Sequence, residues 1–158
     1  MPLPEVCVCY LIREGAWGDE VLLGRKKIGF GRGTVVAPGG KLEPGESPGD
    51  AAVRETFEEV GLRIREADLT AIGELTYPFP HHPQFSQKSW AFMCRSWEGR
   101  PVESDELTPE WFRLDALPLD RMWDDAKHWL PGALAGRFVR ATFTYAADAR
   151  SVESMAFG

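Results

Sequence analysis

Glu55, Glu58 and Glu59 are the residues of this chain most suited to chemistry. At 100° per residue along a helix they fall within one arc of about 100°. Like charges at i,i+3 and i,i+4 spacing destabilise a helix by a few tenths of a kcal/mol per pair, so such an arc calls for compensation. Arg54 is adjacent and can orient or partly neutralise one carboxylate. Mg²⁺ or Mn²⁺ would compensate more, because hard cations take carboxylate oxygens and commonly share them with substrate phosphates. Charge pattern alone leaves the alternative open, an acidic helix face that is simply solvated.

The element that must position these acids is well delimited. Ser47 is a good N-cap, Pro48 suits the first helical position, and Asp50 stands where a capping box places its acid. Gly61 supplies a left-handed stop. A helix from about Pro48 to Val60 follows, with Val53, Phe57 and Val60 expected on the core and the acids facing outward. Before it, Val6–Arg13 and Glu20–Lys27 read as strands joined by a glycine turn, and Thr34–Ala37 as a short one. After it come strands at Leu69–Phe79, Lys88–Trp97 and Trp111–Leu114. Ser104–Glu110 reads as an acidic loop, Asp124–Ala135 as a second helix interrupted by Pro131, and Arg137–Tyr145 with Ser151–Phe157 as a closing hairpin. Strands mixed with two helices on one chain predict an α/β layered fold with a mixed sheet. At 158 residues a single domain, 1–158, is expected.

Composition narrows the function. An apolar content of 44% with six Trp describes a globular protein. A net charge of −6 argues against stable nucleic-acid binding, while a small phosphorylated ligand stays compatible. No apolar run reaches membrane-span length and the first residues do not read as a secretory leader. Cys7, Cys9 and Cys94 leave one unpaired, and they read as reduced apolar residues of a cytoplasmic protein rather than a metal site.

Taken with its full spacing, the stretch is far more specific. Gly40, Glu46, Arg54-Glu55, Glu58-Glu59 and Gly61-Leu62 together resemble the signature of the Nudix hydrolases. Only Thr56 departs, where the family usually has an aliphatic residue. The resemblance implies a Nudix fold, a mixed sheet sandwiched between helices in α/β/α layers, and metal-dependent hydrolysis of a nucleoside diphosphate linked to another group. It makes Glu55, Glu58 and Glu59 metal ligands, one of them a possible base. Gly40 would offer its carbonyl and Arg54 would hold a glutamate in place. Glu46 would structure the loop, and Lys41 would meet phosphate or else remain a solvated loop lysine.

Further similarity, to the animal-type MutT homologues, runs from Val21 to Tyr145. It is carried by Leu22-Leu23-Gly24, Lys26-Lys27, Gly29-Phe30-Gly31, the run Pro101 to Leu107, Trp111-Phe112, Met122-Trp123 and Trp129. Those relatives remove oxidised purine nucleoside triphosphates such as 8-oxo-dGTP, giving monophosphate and pyrophosphate, a sanitation of the nucleotide pool. By that match Glu106 is a further metal ligand or the base, with an ordinary surface acid as the alternative. Phe30, Tyr77, Phe79 and Trp123 match positions of the base pocket, though large aromatics also serve as packing. Asp124 or Asp125 would hydrogen-bond the base edge, a buried carboxyl there staying protonated to donate; the alternative is helix-dipole charge. Val36 replaces an Asn of the relatives and Ala126 replaces an acid, so base preference is expected to be relaxed or altered. His81 and His82 have no counterpart and read as exposed. The partner expected is a small nucleotide, and the protein a monomer.

Overall fold

The computed structural model describes residues 2–158 and contains each predicted element, most with shifted ends. In chain order these are β1 (Glu5–Gly15), β2 (Gly18–Lys26), β3 (Val35–Val36), β4 (Gly39–Lys41), α1 (Pro48–Val60), β5 (Leu69–Tyr77), β6 (Gln87–Cys94), β7 (Leu107–Arg113), α2 (Ala126–Leu134), β8 (Val139–Tyr145) and β9 (Val152–Phe157). The strands form one mixed sheet in the order β3-β2-β1-β6-β5-β8-β9, with β4 added to β1 and β7 to β2. β1 runs parallel to β6 and β5 parallel to β8; the other pairs are antiparallel.

Alternation along β1 builds two cores. Cys7, Cys9 and Leu11 face α1 and pack with Ala51, Ala52, Val60 and Leu62. Tyr10 and Ile12 face the other way and pack with Leu75, Trp129, Leu130 and Phe143 beneath α2. The mixed sheet therefore lies between two helices, the α/β/α layering expected. All three cysteines are buried free thiols, and burial pushes Cys7 up to about 12.

One edge of β1 is shared between two partners. Leu11–Gly15 pairs with β2, whereas Val6–Val8 pairs with β4. This short strand escapes the hydrophobic pattern because it is Gly39-Gly40-Lys41. A Cβ on Gly39 would stand 2.0 Å from the Cys7 carbonyl oxygen, so only glycine permits this pairing.

α1 has the predicted ends. Ser47 accepts from the Asp50 N–H at 3.1 Å, Asp50 closes the capping box, and Gly61 ends the helix at φ 73°. Its faces differ from expectation. Phe57 is 44% exposed, under the Arg63 guanidinium 4.4 Å from its ring centroid, and is not core. Ala51, Ala52, Thr56 and Val60 form the buried stripe, with Glu55 and Glu59 turned inward beside them. Small residues make the packing face, because they let the helix approach the sheet closely. Two further boundaries move. β7 begins at Leu107, inside the stretch read as a loop, because Leu107–Arg113 pairs with β2. α2 begins after Asp125 and runs through Pro131 to Leu134.

Candidate active site

Carboxylate oxygens of Glu55, Glu59 and Glu106 lie within 4.8 Å of one another. α1 supplies the first two, and the loop entering β7 supplies the third. Glu55 and Glu59 are 9% and 8% exposed, Glu106 is exposed. Glu59 Oε1 accepts from the Gly39 N–H at 2.7 Å, across the gap where β1 passes from β2 to β4. Burial pushes Glu59 up to about 8; the Gly39 N–H opposes this, and Glu106 and Glu55 add to it. Burial raises Glu55 as well, with Arg54 pulling the other way. The loop bearing Glu106 is pinned by Lys27, whose Nζ bonds Glu103 Oε2 at 2.7 Å and the Ser104 carbonyl at 2.9 Å.

Arg54 ties the helix to the preceding loop. Its Nε and Nη2 bond the two Glu46 oxygens at 2.8 and 2.9 Å, Nη1 bonds Glu55 at 2.6 Å, and Nη2 also reaches the Lys41 carbonyl. The guanidinium holds Glu46 down to about 2. Glu58 lies outside the carboxylate group. Its side chain is 52% exposed and takes Arg54 Nη1 at 3.2 Å. Gly40 leaves the space that Glu55 occupies, since a Cβ there would be 2.6 Å from its carboxyl.

Glu59 and Glu106 form one end of a cavity of about 540 Å³. Its other end is aromatic. Phe79 is buried and stacks on Tyr145 at 4.7 Å, Trp123 stands 5.0 Å from Phe30, and Phe30 stacks on Phe85 at 3.8 Å. Tyr77 also lines the cavity, but its hydroxyl is committed to Asp125 at 2.9 Å. Asp125 is buried, and besides Tyr77 it accepts from Trp129 Nε1 at 2.7 Å and from the Tyr145 hydroxyl. Trp129 donates and the two tyrosine hydroxyls complete the set, so the partners of this carboxyl come from the protein itself. Asp124 turns away; Oδ2 accepts from the Val152 N–H at 2.8 Å and Oδ1 pairs with Lys127 at 3.0 Å.

The NUDIX domain family matches residues 1–133. The chain belongs to that family. It is 39% identical over 113 residues to a mouse protein named oxidized purine nucleoside triphosphate hydrolase, covering 72% of this chain and 70% of that one. A zebrafish (Danio rerio) protein of the same name is 40% identical over 112 residues, 71% of this chain and 70% of the relative. The crystal structure of a MutT protein from Bacillus halodurans superimposes with a TM-score of 0.80 at 26% identity, covering 98% of this chain and 97% of that one.

Several residues of this Nudix site escape sequence reading. Lys26 is half-buried on the cavity wall, where burial lowers its pKa against the pull of Glu59 and Glu106. Strand alternation from Gly24 could have placed it there. Lys41, by contrast, is exposed at the rim. Phe85 comes from a 3-10 turn, Pro83–Phe85, in a loop without periodicity. Among the neighbouring histidines, His81 is exposed and His82 bonds the Ala147 carbonyl at 2.8 Å through Nε2. The donor set suits a hard divalent cation: three carboxylates converge, two of them nearly buried, beside a polar cavity end.

Proposed function

We propose that the chain is a Mg²⁺-dependent nucleoside triphosphate diphosphatase that hydrolyses oxidised purine nucleotides of the 8-oxo-dGTP type to monophosphate and pyrophosphate. The observation that carries this reading is the placement of the carboxylate group at one end of an aromatic cavity. That geometry suits a polyphosphate tail at the acids and a flat base among the rings. The names of the mouse and zebrafish relatives support the substrate class.

Glu55, Glu59 and Glu106 would hold Mg²⁺, or Mn²⁺, with the Gly40 carbonyl beside them, and Glu58 is left to orient Arg54. Bound there, the cation supplies Lewis-acid neutralisation of phosphate oxygens. The chain's own groups do the rest. Arg54 fixes Glu55, and the Gly39 N–H fixes one oxygen of Glu59, so neither reorganises when charge develops. Lys26, and Lys41 at the rim, bring positive charge to the phosphate tail. Water attacks phosphorus, Glu106 or Glu59 takes its proton, and the bond to the pyrophosphate group breaks. Stacking of the base on Trp123 and Phe79 contributes on the order of 1–3 kcal/mol.

The apolar side chains of Val36 and Ala126 favour a second reading, another nucleoside diphosphate derivative. Steady-state rates with 8-oxo-dGTP, dGTP and 2-oxo-dATP separate them, together with product analysis. A preference for oxidised purines with pyrophosphate release supports the first; equal turnover of all nucleotides removes the sanitation role. Release of two mononucleotides from a dinucleotide polyphosphate supports the second. We place the protein in the cytoplasm, a reading supported by its free buried thiols, and read it as a monomeric single domain.

A further inference from the structure

Asp125 is the evident polar group among the rings, yet it is largely spoken for. A carboxylate offers about four lone-pair sites, and Tyr77, Trp129 and Tyr145 fill three of them. Val36 and Ala126 line the same cavity and carry no polar side-chain atom. A base seated there would find few partners, unless they come from the sheet itself.

Ser89 is such a partner. It is 4% exposed, lines the cavity from β6, and its hydroxyl makes no hydrogen bond among the described residues. The strand register explains why. Its neighbours across the sheet are Val6 on β1 and Leu75 on β5, and neither side chain carries a polar atom. Gln87 stands two residues earlier on the same face of β6, opposite Tyr77, and also lines the cavity. With no protein partner and an opening onto the cavity, this hydroxyl is available to a partner that arrives with the ligand.

We infer that Ser89 is a specificity-determining residue whose hydroxyl, with the Gln87 amide beside it, hydrogen-bonds the heteroatom edge of the nucleobase. A hydroxyl both donates and accepts, so it can meet a ring carbonyl or a ring N–H. This rests on the nucleotide reading above and adds to it the group that takes over where Val36 and Ala126 supply no polar atom.

The test compares wild type with Ser89→Ala, a change that removes the oxygen at nearly constant shape. Metal-free protein is titrated with dGMP, 8-oxo-dGMP and the base-free control deoxyribose 5-phosphate, following dissociation constants and melting temperature. Kinetics with 8-oxo-dGTP run in parallel. Loss of one hydrogen bond predicts purine monophosphates bound about five- to ten-fold more weakly, with the base-free control unchanged. The same factor is expected in KM, with kcat kept. The unliganded variant should melt close to wild type, because no hydrogen bond to the protein is lost. Equal purine affinities, an equal loss on the base-free control, or a lower melting temperature without ligand would each overturn the assignment. If wild type itself binds no purine nucleotide, the nucleotide reading falls with it, an outcome visible in the wild-type arm alone.

Discussion

Replacing Glu59 by Gln separates chemistry from stability in opposite directions. The amide oxygen can still accept from the Gly39 N–H, now at 2.7 Å to the carboxylate, so the local geometry is kept. What disappears is a buried ionisable carboxyl beside Glu55 and Glu106. A carboxyl with a folded pKa above its unfolded value holds its proton longer in the fold. Its favourable contribution is present below about 4.5 and is lost as pH rises towards about 8. At pH 7 the full displacement would weigh about 3 kcal/mol against the metal-free fold, at about 1.4 kcal/mol per pK unit. Relaxation and water entry reduce this, so about 1–3 kcal/mol is expected, a rise of roughly 3–8 °C in melting temperature. Thermal unfolding in EDTA from pH 4 to pH 8 should show the Gln variant gaining on wild type as pH rises, with no advantage at pH 4. Added Mg²⁺ should stabilise wild type more than the variant, while kcat falls by about 10²–10⁴ in the variant. A variant less stable than wild type in EDTA at pH 7.5 would refute the electrostatic reasoning, and a near-normal kcat would refute the role of Glu59.

Other substitutions probe other parts of the site. Asp125→Ala orphans the Tyr77, Trp129 and Tyr145 donors and should cost about 3 kcal/mol or more in urea unfolding; a loss under about 1 kcal/mol would contradict the network. Gly40→Ala drives a methyl group against the Glu55 carboxyl, 2.6 Å away, so Mg²⁺ affinity and kcat should fall together while the circular dichroism spectrum is retained. Thr56→Val removes a buried hydroxyl that has no hydrogen-bond partner among the described residues, and should raise stability by about 1 kcal/mol in the same unfolding assay.

Local chemistry marks α1 unmistakably in the sequence, since Ser47, Asp50 and Gly61 are each required by a specific backbone geometry. The long strands are equally legible through their apolar runs. What the sequence hides is what depends on partners far away in the chain. Glu59 looked solvated because nothing local reveals the Gly39 N–H waiting for it. Phe57 looked buried because its type outweighs its position beside small residues that fit the sheet more closely. The first half of β7 is hidden because its Pro109 and Glu110 gain strand geometry only from pairing with β2. Asp124 and Asp125 are neighbours of identical type, and only the tertiary fold sends one to Val152 and the other to the ring donors.

The hub at Asp125 joins β5, α2 and β8 through Tyr77, Trp129 and Tyr145. Any mutation that altered ligand choice by changing that carboxylate would loosen three elements at once. Drift towards new ligands is therefore channelled to cavity residues that carry no such hydrogen bonds, such as the exposed Gln84.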